Sequence, residues 1–222
     1  MLRLLTFVFF TLASTALASD APRILILGDS FMTTNASAKS SVSHELARLT
    51  GARVKSRAVT GARFFYNLPI TGGLGMNIPK QYRKGGWDIV VMNGGGNDLW
   101  MGCGCGKCTR KMQRLISADG SRGAIPSLVA RARADGARVF YVGYLRSPGA
   151  GSPIEGCKAV GDRLEARVAQ MAARDPGVTY VSLQDMIPYG DRSYHALDMI
   201  HPSPKGSRAA AERIARAIAA AP

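Results

Sequence analysis

Five short strand-like stretches punctuate the chain, and stretches of helical period fall between them. Apolar runs cover residues 23–27, 88–92, 138–144 and 178–182, and residues 52–59 alternate enough for a further strand. The first run ends at Gly28, and the run 88–92 stops at a glycine run that begins at Gly94. Runs of four to eight apolar residues bounded by such turns read as buried strands. Helical patterns cover 41–49, 125–134, 155–173 and 204–221. Gly51 closes the first of these helices, and Asp135-Gly136 ends the second. Strands alternating with helices predict a parallel sheet of about five strands with helices on both faces. Ligands of such sheets bind beyond the carboxyl ends of the strands. One long irregular stretch, 60–81, is glycine-rich and holds Pro69 and Pro79, and loops of that length are often functional.

The N-terminus carries a different signal. Met1-Leu2-Arg3 gives a positive start, an apolar stretch follows to Ala13, and Ala16-Leu17-Ala18 offers small residues where a signal peptidase reads. Residues 1–18 are therefore expected to be a secretory signal peptide. The apolar stretch is short for a membrane span. Residues 19–222 then form one domain, since no linker is visible. Expected localisation is the periplasm or the extracellular space. At 46% hydrophobic and 20% charged the chain is not a disordered polymer. No later run of about 20 apolar residues makes it polytopic.

Candidate chemistry gathers at the ends of the expected strands. Gly28-Asp29-Ser30 follows the first, which places a serine at the ligand end of the sheet. The surroundings are not G-x-S-x-G, so the nucleophile elbow of the α/β-hydrolases is absent. No P-loop or G-x-G-x-x-G follows that strand, which disfavours a nucleotide binder. Asp198-Met199-Ile200-His201 precedes the last helix. An Asp three residues before a His places both side chains on one turn, so His201 would serve as base and Asp198 as its partner. The chain has only 3 His. His44 lies beside Glu45 on an expected helix surface, and His195 sits in a loop without an Asp three residues earlier. Gly94-Gly95-Gly96-Asn97-Asp98 follows the third strand and offers an amide and close backbone N–H groups to an oxyanion. Gly61 lies in a turn after the second strand.

These four blocks, Gly28-Asp29-Ser30, Gly61, Gly95-Gly96-Asn97-Asp98 and Asp198-Met199-Ile200-His201, resemble in their order the blocks of the SGNH (GDSL-type) hydrolases. The resemblance spans the whole domain. It implies a three-layer α/β/α, flavodoxin-like fold and ester or thioester hydrolysis with no metal and no cofactor. Matched block by block, Ser30 would be the nucleophile, His201 the base and Asp198 its partner. The Ser30 and Gly61 backbone N–H groups and the Asn97 side chain would form the oxyanion hole. Phe31 stands where the family's name has Leu, and a cysteine-rich insert after the third block is a larger departure.

That insert holds Cys103, Cys105 and Cys108, and Cys157 follows the fourth strand. Three thiols this close resemble metal ligands, but in an exported chain two disulfides are expected in place of zinc. Four cysteines allow three complete pairings. Cys157 is expected to bridge to one of the three, since both segments lie at the same end of the sheet. The other two would pair locally, as Cys105–Cys108 in a C-x-x-C ring or as a tighter C-x-C ring.

A net charge of +14 has no single home along the sequence. It reads first as a solvated basic surface in an Arg/Ala-rich chain and otherwise as attraction to anionic envelope material, and no basic stripe with aromatic support points to nucleic acid. Trp100, Tyr144 and Phe64 are candidates to line the pocket. The function expected is a serine esterase acting on small acyl esters, O-acetyl groups of a glycan among them. The alternatives are a lysophospholipase or thioesterase, or a glycan-binding protein on the same fold that turns nothing over. The oligomeric state is not legible.

Overall fold

A computed structural model describes residues 21–149 and 151–221. The expected signal peptide lies outside the described residues. Five strands form one sheet: β1 (Arg23–Leu27), β2 (Arg53–Ser56), β3 (Ile89–Met92), β4 (Arg138–Val142) and β5 (Val178–Val181). Their order is β2-β1-β3-β4-β5 and every pairing is parallel. The order reverses at β1, so the crevice between the ends of β1 and β3 is where a ligand is expected.

The helices are α1 (Ser30–Thr33), α2 (Val42–Thr50), α3 (Pro69–Thr71), α4 (Ile78–Gln81), α5 (Gly96–Cys103), α6 (Thr109–Leu115), α7 (Ala124–Ala134), α8 (Lys158–Ala172) and α9 (Pro204–Ala220). Alternate residues of a strand face opposite sides of a sheet. Ile24, Ile26, Val91 and Phe140 pack with Val42 and Leu46 of α2 and Ala210, Ala211 and Ile214 of α9. Leu25, Leu27, Val90 and Met92 pack instead with Ile78 of α4, Met112 and Leu115 of α6, Leu128 of α7 and Leu164 and Val168 of α8. The sheet is thus buried on both faces, and the architecture is the expected three-layer α/β/α sandwich. No helix among the described residues is long and apolar enough to cross a membrane.

The irregular stretch 60–81 contains α3, a wider turn over Gly72–Met76 and α4. The cysteine insert is folded as well, because α5 runs into it and α6 leaves it. Cys103–Cys108 and Cys105–Cys157 are the disulfides. Cys157 therefore bridges into the insert as expected. The local partner differs: Cys103 pairs with Cys108, not within a C-x-x-C or C-x-C ring. The last turn of α5 carries Cys103 back toward the start of α6, where the buried Cys108 waits. These bonds use all four thiols, which leaves none to hold zinc.

Loop closure assigns the two bonds different weights. Cys105–Cys157 spans 52 residues and Cys103–Cys108 only 5. Chain-entropy arithmetic gives about 4 kcal/mol for the first and about 2 kcal/mol for the second. Urea unfolding of the paired variants Cys105→Ala/Cys157→Ala and Cys103→Ala/Cys108→Ala should show that order. Equal or reversed losses would rule out ring size as the controlling quantity.

Candidate active site

Ser30 opens α1, directly beyond the end of β1, and is 9% exposed. Its approach is fixed by glycine. Gly28 has φ +143°, and a Cβ there would stand 1.8 Å from Asn93 Oδ1. The Gly28 N–H donates to Gln81 Oε1 at 2.7 Å, and its carbonyl accepts from Gln81 Nε2 at 2.8 Å. Helix α4 thereby clamps the turn from below.

Asp29 caps α1 by accepting from the Phe31 N–H at 3.0 Å. Its own N–H donates to Asn93 Oδ1 at 3.2 Å, while Asn93 Nδ2 donates back to Asp29 Oδ1 at 3.1 Å. Tyr144, two residues beyond β4, donates its hydroxyl to Asp29 Oδ2 at 2.5 Å. The same hydroxyl oxygen accepts the Gly96 N–H at 3.2 Å. Only a glycine fits at 96, since a Cβ would come within 2.8 Å of the Tyr144 ring. A closed polar network therefore ties the ends of β1, β3 and β4 together beneath Ser30 and Asn97. Burial pushes the Asp29 carboxyl above its usual range, against the pull of the bonds from Tyr144, the Phe31 N–H and Asn93. Burial likewise pushes the Tyr144 phenol well up, and the neighbouring Asp29 adds to it. The phenol thus stays protonated and keeps donating.

Asn97 is the second residue of α5, and its Nδ2 donates one hydrogen to the Ala62 carbonyl at 3.1 Å. An amide has two donors, so one remains for a ligand. Asp98 is buried and accepts from the Phe64 and Phe65 N–H groups at 2.8 and 2.9 Å. Both contacts hold the 61–65 turn against α5. Gly61 sits in that turn with φ +76° and is not on the cavity wall. Phe64 is 3% exposed and packs in the core instead of lining the pocket.

On the opposite side, 198–201 form a compact turn. Asp198 Oδ1 accepts from the Ile200 and His201 N–H groups, each at 3.0 Å, and Oδ2 meets His201 Nδ1 at 2.5 Å. Ser203 then caps α9 with Pro204 in its first turn. Partial burial raises the Asp198 pKa, but the bonds from the His201 ring and the two N–H groups outweigh it and hold the carboxyl below its usual 3.8. A depressed carboxylate stabilises the fold above its ordinary pKa and loses that effect only as pH falls through the lower folded value. Asp198 is therefore ionised throughout the neutral range. Its burial is slight, so solvent screens the interaction.

Ser30, Asn97 and His201 line a single cavity of about 230 Å³. Trp100 and Tyr144 line it too, as expected. His44 is bound to Ser41 Oγ at 2.7 Å, away from it. His195 is buried, bridges to Pro202 and is not part of the wall. Sequence reasoning missed the Asp29–Asn93–Tyr144 network and the role of α8 as a wall. The only trace of the network in the sequence is that Asp29, Asn93 and Tyr144 each stand within two residues of a strand end, which does not say that they meet.

The chain's likeness to known proteins agrees with this geometry. The sequence model of the GDSL-like lipase/acylhydrolase family matches residues 26–209. No curated protein matches significantly. Among solved structures, a protein assigned as an SGNH hydrolase from Slackia heliotrinireducens is 26% identical with a TM-score of 0.63, and the match covers 90% of this chain and 100% of that one. A carbohydrate esterase family 2 enzyme with a carbohydrate-binding domain, from Myceliophthora fergusii, is 20% identical with a TM-score of 0.60, over 91% of this chain and 68% of that one. A GDSL-like lipase from Bacteroides thetaiotaomicron is 16% identical with a TM-score of 0.56, over 89% and 87%. The last two share the fold. By its matched sequence and its architecture, this chain belongs to the GDSL-like lipase/acylhydrolase family, the SGNH hydrolases that act on esters.

Proposed function

We propose that the protein is a serine esterase that cleaves carboxylic esters through Ser30, His201 and Asp198. The observation that carries this reading is the placement of Ser30, Asn97 and His201 around one cavity, with Asp198 bound to Nδ1 of the imidazole. Nδ1 is held by a carboxylate, so its hydrogen stays there and Nε2 keeps a lone pair. Nε2 takes the Ser30 proton as Oγ attacks the ester carbonyl. The carbonyl electrons move to oxygen, which receives hydrogen bonds from the Ser30 N–H group and the free Asn97 hydrogen, while Gly61 stands off the cavity wall. Each such donor is worth about 3–4 kcal/mol in the transition state. The tetrahedral species collapses, His201 gives its proton to the leaving alcohol, and an acyl-Ser30 remains. Water then attacks that acyl group with His201 again as base.

The first substrates to test are esters of small acyl groups, O-acetyl groups on a glycan included, followed by lysophospholipids and thioesters. The layout of residues 1–18 supports export, and the two disulfides suit an oxidising compartment. A net charge of +14 supports lingering at anionic envelope material. A fluorophosphonate probe should label the protein once, and peptide mass spectrometry should find the adduct on Ser30. An adduct elsewhere, or no adduct in protein that hydrolyses p-nitrophenyl esters, would refute the nucleophile.

A further inference from the structure

The cavity beside Ser30 is too large for an acetyl group. It encloses about 230 Å³, whereas an apolar cavity of about 150 Å³ holds a benzene molecule. Its walls continue from Asn97 along α5 through Leu99 and Trp100, and then cross to Ile154 and to Val160 and Leu164 of α8. The Cys105–Cys157 disulfide joins the two sides and is itself part of the lining. The charged side chains at the cavity largely answer one another. Arg146 binds Glu165 at 2.6 and 2.8 Å and Asp162 at 2.8 Å, and Lys158 binds Asp162 at 2.8 Å. Such satisfied pairs offer little to a charged ligand, and the apolar side chains between them suit an uncharged chain.

One residue makes room for it. Gly161 lies inside α8 and on the cavity wall, and a Cβ there would meet no atom within 4 Å. Glycine is a poor residue for a helix interior. No clash in the fold demands it, and the space a side chain would take belongs to the cavity. The leaving oxygen must face His201, so the wall running away from Asn97 falls to the acyl side of the ester.

We propose that this cavity is an acyl pocket for uncharged chains of about six to eight carbons, with Gly161 as the position that sets their length. The proposal rests on the esterase reading above and moves its preferred substrate from short to medium acyl esters. The full chain should be assayed on p-nitrophenyl acetate, butyrate, hexanoate, octanoate and dodecanoate. Each methylene buried in the transition state raises kcat/KM by up to about fourfold. The expected profile climbs at least tenfold from acetate to hexanoate or octanoate and falls again at dodecanoate. Gly161→Leu should lower the octanoate-to-acetate ratio at least tenfold, and Gly161→Ala should lower it less. Thermal melts of both variants establish that they fold. A flat acyl profile in active enzyme would overturn the pocket, as would an unchanged ratio in folded Gly161→Leu. A length dependence that follows the alcohol of alkyl acetates instead would overturn its assignment to the acyl side. Absence of turnover on every ester, together with an unlabelled Ser30, would instead refute the esterase reading itself.

Discussion

Ser30→Ala should reduce ester turnover by about 10⁴-fold or more while the protein keeps its fold. The size of the loss follows from removing the only atom that forms the covalent bond, since triad members act as a unit. Retention of the fold follows from what Ser30 does structurally. Its carbonyl accepts from the Thr34 N–H at 2.9 Å and the Thr34 hydroxyl at 2.7 Å, and both are backbone services that alanine performs equally. The cap of α1 comes from Asp29, which the substitution leaves in place. Alanine also favours a helix. Unfolding free energies from urea titration should therefore agree within about 0.5 kcal/mol. Turnover near the wild-type rate in folded Ser30→Ala would show that the acyl group is never carried on this residue. Partial retention above 1% would point to direct attack by water with His201 as base.

The chain's fold was legible where hydrophobic period and glycine punctuation agree. β1 falls where its apolar run lies, at Arg23–Leu27, and the other strands fall inside or at the edge of their runs. β2 is shortest relative to its stretch: the ladder with β1 ends at Ser56, although the Arg57 and Val59 N–H groups still donate to the Ile26 and Gly28 carbonyls. α5 and α6 escaped notice for a physical reason. Gly96, Gly102 and Cys103 weaken the helical period of α5, and what holds it is tertiary: Leu99 in the core and the bond from Cys103 to Cys108. Without those helices the cysteine pairing could not be chosen, since ring size depends on where the chain turns back. The site was legible in its four blocks but not in its support. Tyr144 reads as an aromatic beyond a strand, and nothing in the sequence says that its hydroxyl bridges Asp29 and Gly96. Gly161 was equally silent, because a glycine within a helical pattern carries meaning only once its neighbours are known to be absent.

Asp198→Asn isolates the electrostatic part of the site from its architecture. The turn at 198–201 depends on Oδ1, which accepts the Ile200 and His201 N–H groups. An asparagine carbonyl takes both bonds, so the turn and the start of α9 survive. The change falls on the other side of the group. Where Oδ2 now accepts from Nδ1 of His201, the variant presents an amide that donates. Nδ1 must then become the acceptor, which moves the ring hydrogen to Nε2. An imidazole with its hydrogen on Nε2 cannot take the Ser30 proton, and the imidazolium loses its counter-charge as well. The expected cost is about 10⁴-fold in kcat, with little change in KM and an almost unchanged melting temperature. Asp198→Glu keeps the charge but lengthens the arm, and it should recover part of the loss. NMR of the ring nitrogens should show the tautomer reversed in Asp198→Asn. A variant that keeps more than a tenth of its activity would show that Asp198 builds the turn without tuning the base. The same outcome would move the source of His201 orientation to the antiparallel bridge between His195 and Pro202, which holds the segment from its other side.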